Sequence, residues 1–291
     1  MGILNVDKPA GLTSAAVVGR LRRSSGSKRI GHGGTLDPAA TGVLPVFLGR
    51  ATVLAEMLSR QGKTYAAAIR LGAGSDTDDA EGTLTPAPVP GSIDATVVEA
   101  AMLAFEGDIE QRPPAFSAVK VEGERSYRRA RRGDLEQPAA RPVRVEAIRL
   151  VELKSDPDGP LVILEVDCGP GFYVRSLARD LGESLGTRAH LAWLRRTRVG
   201  GLSIAESVPL AELEAAGGEI KAFLRPVTAA LADMTPVRVG ETAAAELRLG
   251  RPVPVAASAM EHVYATDAGG RVLALGRVLG GRFHPHRLVE A

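Results

Sequence analysis

Apolar and polar positions alternate over Lys63–Leu71, placing Tyr65, Ala67, Ile69 and Leu71 on one side, and this period of two predicts a half-buried β-strand. Short apolar runs at 3–6 and 42–48 predict buried strands, and further strands are expected at 142–153, 161–168 and about 191–199. Helical spacing follows a Thr13/Ser14 cap, with Val17, Val18 and Leu21 on one face. Other predicted helices cover 52–58, a stretch capped by Ser92 and ending near Gly107, 174–185, and 242–249 closed by Gly250. This mixed order predicts an α+β fold with a central sheet. A Pro/Gly-rich acidic loop spans 75–91, and Pro113-Pro114 opens what reads as an insertion over about 110–140. A composition change at 225–236 divides a larger domain, 1–228, from a small β-rich one, 234–291. The tail is short for independent folding and is expected to pack against the larger domain.

Composition narrows the class. With 291 residues, 45% hydrophobic and 24% charged, the chain has the makings of a globular core and not of a disordered polymer. No apolar run approaches the ~20 residues of a membrane-spanning helix, and the N-terminus lacks the pattern of a secretory signal, so a cytoplasmic location is expected. A lone cysteine, Cys168, makes an intramolecular disulfide impossible, and no Cys/His cluster has zinc-ligand spacing. Charge is segregated beneath a net of +2. Lys8, Arg20, Arg22, Arg23, Lys28 and Arg29 fall in a stretch without a carboxylate, whereas 76–110 carries nine carboxylates and no Lys or Arg. Further basic groups are Lys120, Arg128, Arg129, Arg131 and Arg132, then Arg188, Arg195, Arg196 and Arg198. Each cluster alone reads as a solvated face; together they suit a polyanionic partner.

The segment GHGGTLDPAATGVLPV, 31–46, holds Asp37 in a glycine- and proline-constrained turn before an apolar strand. Asp37 is the sole acidic residue between Asp7 and Glu56, a setting that favours its ionised form and fits it as nucleophile or base. From Asp-Pro alone an Asx-type turn is the stronger reading, so Asp37 needs more support than its dipeptide. Phosphate cradling by the glycines is disfavoured, because neither G-x-x-x-x-G-K-[ST] nor G-x-G-x-x-G is present. A glycoside hydrolase would want a second carboxylate, which only a distant residue such as Asp79 could supply.

GHGGTLDPAATGVLPV closely resembles the catalytic signature of the TruB family of tRNA pseudouridine synthases. Four other blocks resemble that family in order: NVDKPAGLTS (5–14), KTYAAAIRLGAGSDTDDAEG (63–82), PPAFSAVKVEGERSYRRARRG (113–133) and GFYVRSLARDLGESLGTRAHLAWLRRTRVG (171–200). The resemblance implies a pseudouridine synthase fold, with a central mixed, largely antiparallel sheet flanked by helices and loops, and a small PUA-like tail that binds RNA. It implies that Asp37 attacks the target nucleoside, Tyr65 stacks on the flipped uracil and Arg175 pairs with the aspartate. Tyr173 and Leu194 resemble residues lining the uracil pocket, and His32 the histidine beside the displaced base stack. Asp79, Lys8, Lys63, Lys120, Arg128 and Arg132 fall in blocks implied to bind substrate. Gly33 and Phe172 stand where the family usually has threonine.

The implied reaction breaks the N1–C1′ bond of a uridine and rejoins the ring through C5, so the base must leave its stack. Attack at C1′, 2′-proton abstraction to a glycal, and addition at C6 all remain open. The resemblance implies an intramolecular transferase acting on position 55 in the T-loop of tRNA, without cofactor or metal, as a monomer needing neither protein partner nor guide RNA. The rival expectation is a noncatalytic tRNA-binding or folding protein with the same basic surface.

Overall fold

The computed structural model describes the chain apart from residues 92, 118–119, 122–123, 126–131, 133–137, 233 and 291, with the backbone alone at 120, 121, 124 and 125. The chain divides into two compact units: Met1–Pro38, Gly42–Gln61 and Val199–Ala291 form the first, Ala39–Thr41 and Gly62–Arg198 the second.

In the first unit, β1 (Gly2–Lys8) and β2 (Ile30–His32) each pair antiparallel with β3 (Thr41–Leu48). Nearly every side chain of β1 and β3 is buried, which explains why their sequences run apolar without alternation. Between β1 and β2 lies the helix Ser14–Ser25, capped by the Thr13 hydroxyl, which accepts from Ala16 N at 3.0 Å. Val17, Val18 and Leu21 face inward as predicted, and Gly26 ends the helix at φ 62°. The predicted helix 52–58 is instead a 3-10 turn, Gly49–Leu54, followed by an α-helical turn, Ala55–Ser59. The Thr52 hydroxyl donates back to the Gly49 carbonyl at 3.0 Å, a bond that tightens the first turn.

The second unit continues with β4 (Lys63–Leu71), β5 (Ala73–Ser75), β6 (Leu84–Pro86), the helix Ala95–Met102, β7 (Gly107–Gln111), β8 (Lys120–Val121) and β9 (Glu124–Arg125). After these come β10 (Arg141–Lys154), β11 (Leu161–Cys168), the helix Val174–Ser184 and β12 (Ala189–Val199). Its sheet runs β12-β4-β11-β10-β7, with β4, β11, β10 and β7 successively antiparallel. The alternation read in β4 understates its burial, since Lys63, Thr64 and Ala68 are buried as well as Tyr65, Ala67, Ile69 and Leu71. Thr64 and Ala68 lie on the face opposite Tyr65, Ala67 and Ile69, so side chains on both faces of this interior strand are buried. The third helix is capped by Asp94, not Ser92, which lies outside the described residues; the Asp94 carboxylate accepts from Val97 N at 2.9 Å. An ionised oxygen at a helix N-terminus also meets the positive end of the helix dipole, which favours Asp over Ser there.

Returning to the first unit, β13 (Leu202–Ser203) is followed by β14 (Val208–Pro209), which lies parallel to β1. The tail holds β15 (Thr235–Arg238), the helix Glu241–Arg248, β16 (Val253–Pro254), β17 (Met260–Thr266), β18 (Val272–Leu279) and β19 (Arg282–Leu288). These strands form one sheet, β15-β17-β18-β19-β16. Val263, Leu273, Ala274 and Phe283 pack with Leu247 of the tail helix. From the same strands Tyr264, Val272 and Leu275 enter a core with Ile3, Phe47, Leu54 and Leu58. Burying both faces supplies the apolar area that so short a segment lacks alone. Among the described residues no helix is long and apolar enough to cross a membrane.

Candidate active site

Asp37 sits in a turn fixed on both sides. The Ser14 hydroxyl donates to Leu36 O (3.0 Å) and accepts from Leu36 N (2.9 Å). On the other side, Pro38 O accepts from Gly11 N at 2.9 Å and from Lys8 Nζ at 3.0 Å, and Lys8 Nζ also donates to Pro9 O at 2.9 Å. The NVDKPAGLTS block therefore serves the aspartate from a distance: it holds the backbone of the residues flanking it, while Asp37 itself is half-buried. Such pinning removes most of the turn's freedom and presents the carboxylate in one orientation. Lys8 is fully buried. Its ammonium is withdrawn from solvent and donates to Pro38 O in the turn and to Pro9 O next to it in the chain, so here it helps to position the turn.

His32, at the end of β2, is half-buried. Beside it, Gly33 is buried, and a Cβ built on it would lie 2.7 Å from the Phe47 ring and 3.3 Å from Ala55 O. Phe47 is fully buried, so the departure from threonine at 33 has a physical partner in this chain. Gly33→Thr is expected to lower stability by about 1–3 kcal/mol, as overpacking does, and thermal unfolding would show it as a reduced Tm.

Tyr65, Asp79, Tyr173, Arg175 and Leu194 belong to the second unit. Tyr65 is buried in β4, and Leu194 is half-buried in β12. Arg175, in the first turn of the helix Val174–Ser184, has 7% of its surface exposed. Its Nη1 donates to Thr77 O at 3.3 Å and lies 3.8 Å from Asp79 Oδ2, and its Nη2 donates to Phe116 O at 3.1 Å. Asp79 is held in turn: its Oδ1 accepts from the Thr77 hydroxyl at 2.5 Å and from Glu81 N at 3.1 Å. The Tyr173 backbone is clasped by Gln111, whose Oε1 accepts from Tyr173 N (2.8 Å) and whose Nε2 donates to Tyr173 O (3.1 Å). The Arg141 guanidinium stands 5.4 Å from the Tyr173 ring centroid.

Two further cations are withdrawn from the surface: Lys63, implied as a substrate contact, and Arg196, read as one of a basic cluster. Lys63 and Arg196 are buried, and burial, with Arg196 second, pulls the Lys63 ammonium down to about 8. Burial pushes the Cys168 thiol up to about 12, which leaves it unreactive. Of the insertion residues, Arg132 is exposed, Lys120 belongs to β8, and Arg128 lies outside the described residues. Among the described residues no group of three or more His, Cys, Asp or Glu is placed to hold a metal ion. The sequence singles out neither Gln111 nor Thr77, and Ser14 only as part of a helix cap. Single hydroxyl or amide side chains carry no pattern until their partners, far away in the chain, are known.

Comparison with known proteins gives this arrangement its setting. The model of the TruB family pseudouridylate synthase N-terminal domain matches residues 22–174, and that of the tRNA pseudouridylate synthase B C-terminal domain matches 175–232. A tRNA pseudouridine synthase B of Roseobacter denitrificans is 45% identical over 100% of this chain and 96% of its own length. One from Mycobacterium ulcerans is 42% identical over 97% and 92%. A chain of a crystallised Cbf5-Nop10-Gar1 complex superposes with a TM-score of 0.78 at 27% identity, over 99% of this chain and 84% of that one. The fold is thus that of a pseudouridine synthase, an RNA-modifying isomerase. Within that class, the chain belongs to the TruB family.

Proposed function

We propose that this enzyme converts the uridine at position 55 of the tRNA T-loop into pseudouridine. The observation that carries this reading is the full-length similarity to proteins named tRNA pseudouridine synthase B, together with Asp37 in a turn anchored at Leu36 and Pro38. Asp37 supplies the carboxylate on which breaking and re-forming the glycosidic link depends, Arg175 is its guanidinium partner, and Tyr65 is the platform for the extruded uracil. In balance, the N1–C1′ bond breaks, a C5–C1′ bond forms, C5 gives up its proton to solvent and N1 gains one. The tRNA pays unstacking of a few kcal/mol, offset by phosphate contacts and aromatic stacking. The enzyme acts as a monomer in the cytoplasm, without guide RNA or protein partner. Relatives above 40% identity with near-complete coverage bear single-protein names, which supports this over an assembly such as the Cbf5-Nop10-Gar1 complex.

An unmodified tRNA transcript labelled with tritium at uridine C5 provides the test. Wild-type enzyme is expected to release one tritium per tRNA, in EDTA as in Mg²⁺, and to release none once the T-loop uridine is replaced by cytidine. Undiminished release from that substituted transcript would overturn the assignment of the site.

A further inference from the structure

Arg175 is not the only arginine that ties the acidic loop to the helix behind it. Arg179 lies one turn further along the same helix, and its Nη1 is 2.8 Å from Asp78 Oδ2. Its Nη2 donates to Arg112 O at 2.9 Å, and its Nε is bonded to Asp180 Oδ1 at 2.8 Å. The two arginines repeat one pattern. Each joins the 75–82 loop, through consecutive carboxylates Asp78 and Asp79, to the 112–116 segment, through the carbonyls of Arg112 and Phe116. Ser176, between them, adds a third bond to this segment, its hydroxyl donating to Arg112 O at 2.8 Å. The loop is also anchored to β12, since Leu191 N donates to Asp78 O and Ala80 N to Leu191 O, both at 3.0 Å.

We propose that the Asp78–Arg179 pair is a positioning element for pseudouridine formation, fixing the loop and the root of the insertion so that Asp79 holds the Arg175 guanidinium in its working orientation. This rests on the reading above that Arg175 serves the reaction. Asp78 takes the left-handed region with φ 60°, the one described non-glycine residue to do so, a conformation that persists where surroundings impose it. Burial raises its carboxyl to about 6 although Arg179 and then Arg175 pull the other way. A strained, partly desolvated ion pair contributes little to stability that an apolar pair would not match, so its value lies in orientation.

The charged groups around Asp78 are Asp76 and Asp79 on its own loop, Arg175, Arg179, Asp180 and Glu183 on the helix, Arg112 on the neighbouring segment and Arg188 ahead of β12. An open cleft of about 400 Å³, walled by Asp76, Glu183 and Arg188 among others, reaches Asp78 and Arg179 and lets protons exchange with solvent. The sign follows directly. As pH falls through about 6, Asp78 takes up a proton, the pair loses its charge, and turnover falls; stability moves the other way, because the buried carboxyl is better accommodated neutral.

Asp78→Asn tests this, because Asn tolerates the left-handed backbone and keeps an acceptor for Arg179. At pH 7.5 its kcat for tritium release from tRNA is expected to fall about 10-fold, KM staying within about twofold. Its Tm should equal or exceed that of wild type. The wild-type acid limb near pH 6 should be missing from D78N and present in Asp180→Asn. Arg179→Lys, which keeps the charge but cannot reach three partners, should show the same loss of kcat. A D78N enzyme with wild-type kcat and an unshifted limb, or one whose kcat loss merely tracks a lowered Tm, would overturn the inference alone. Failure of the wild type to release tritium overturns the functional reading, and the inference with it.

Discussion

Asp37→Asn is expected to abolish turnover, lowering tritium release from tRNA by at least about 10⁴-fold, as removal of an essential nucleophile or base does. The substitution is close to isosteric, and its neighbours are held through the backbone of Leu36 and Pro38, so the turn should survive it. RNA affinity depends chiefly on cationic contacts to phosphates, to which this carboxylate adds only repulsion. The mutant Kd for tRNA should therefore match or fall below the wild-type value in filter binding. A mutant as active as wild type would remove the carboxylate from the mechanism and revive the noncatalytic reading, whereas lost activity with lost binding would point to a collapsed turn.

Much of this site can be read in sequence because its parts are local. The turn at Asp37 carries its own glycines and proline, and the helix Val174–Ser184 carries its own period. The strands Lys63–Leu71 and Leu161–Cys168 coincide with their predicted extents for the same reason. What sequence alone conceals is which charges go inside. Lys8 and Arg196 read as members of basic clusters and Lys63 as an implied substrate contact, yet all three are buried. For Lys8 the reason is visible, because an ammonium whose donors are met by carbonyls tolerates desolvation, and one of those carbonyls, Pro38 O, comes from 30 residues away. The Asp78–Arg179 bond spans 101 residues and has no local signature. Only in retrospect does the coincidence of adjacent aspartates with arginines four apart suggest two parallel rungs.

The same logic makes Arg175→Lys far from conservative. The guanidinium reaches Thr77 O and Asp79 through Nη1 and Phe116 O through Nη2, so one planar group spans two segments of chain. An ammonium has comparable charge but a single nitrogen on a shorter reach, and it cannot hold both sides at once. Buried acceptors left without their donor cost about 1–3 kcal/mol, which for a protein of this size means a Tm several degrees lower. On the role proposed for Arg175, the rate should suffer more than the fold, by about 100-fold or more, because a cation displaced from a reacting carboxylate would no longer stabilise charge where it develops. Tritium release and thermal unfolding measured on the same preparation separate the two effects. A lysine variant within a few-fold of wild-type turnover would show that positive charge alone suffices, and would take from the fork geometry the part assigned to it.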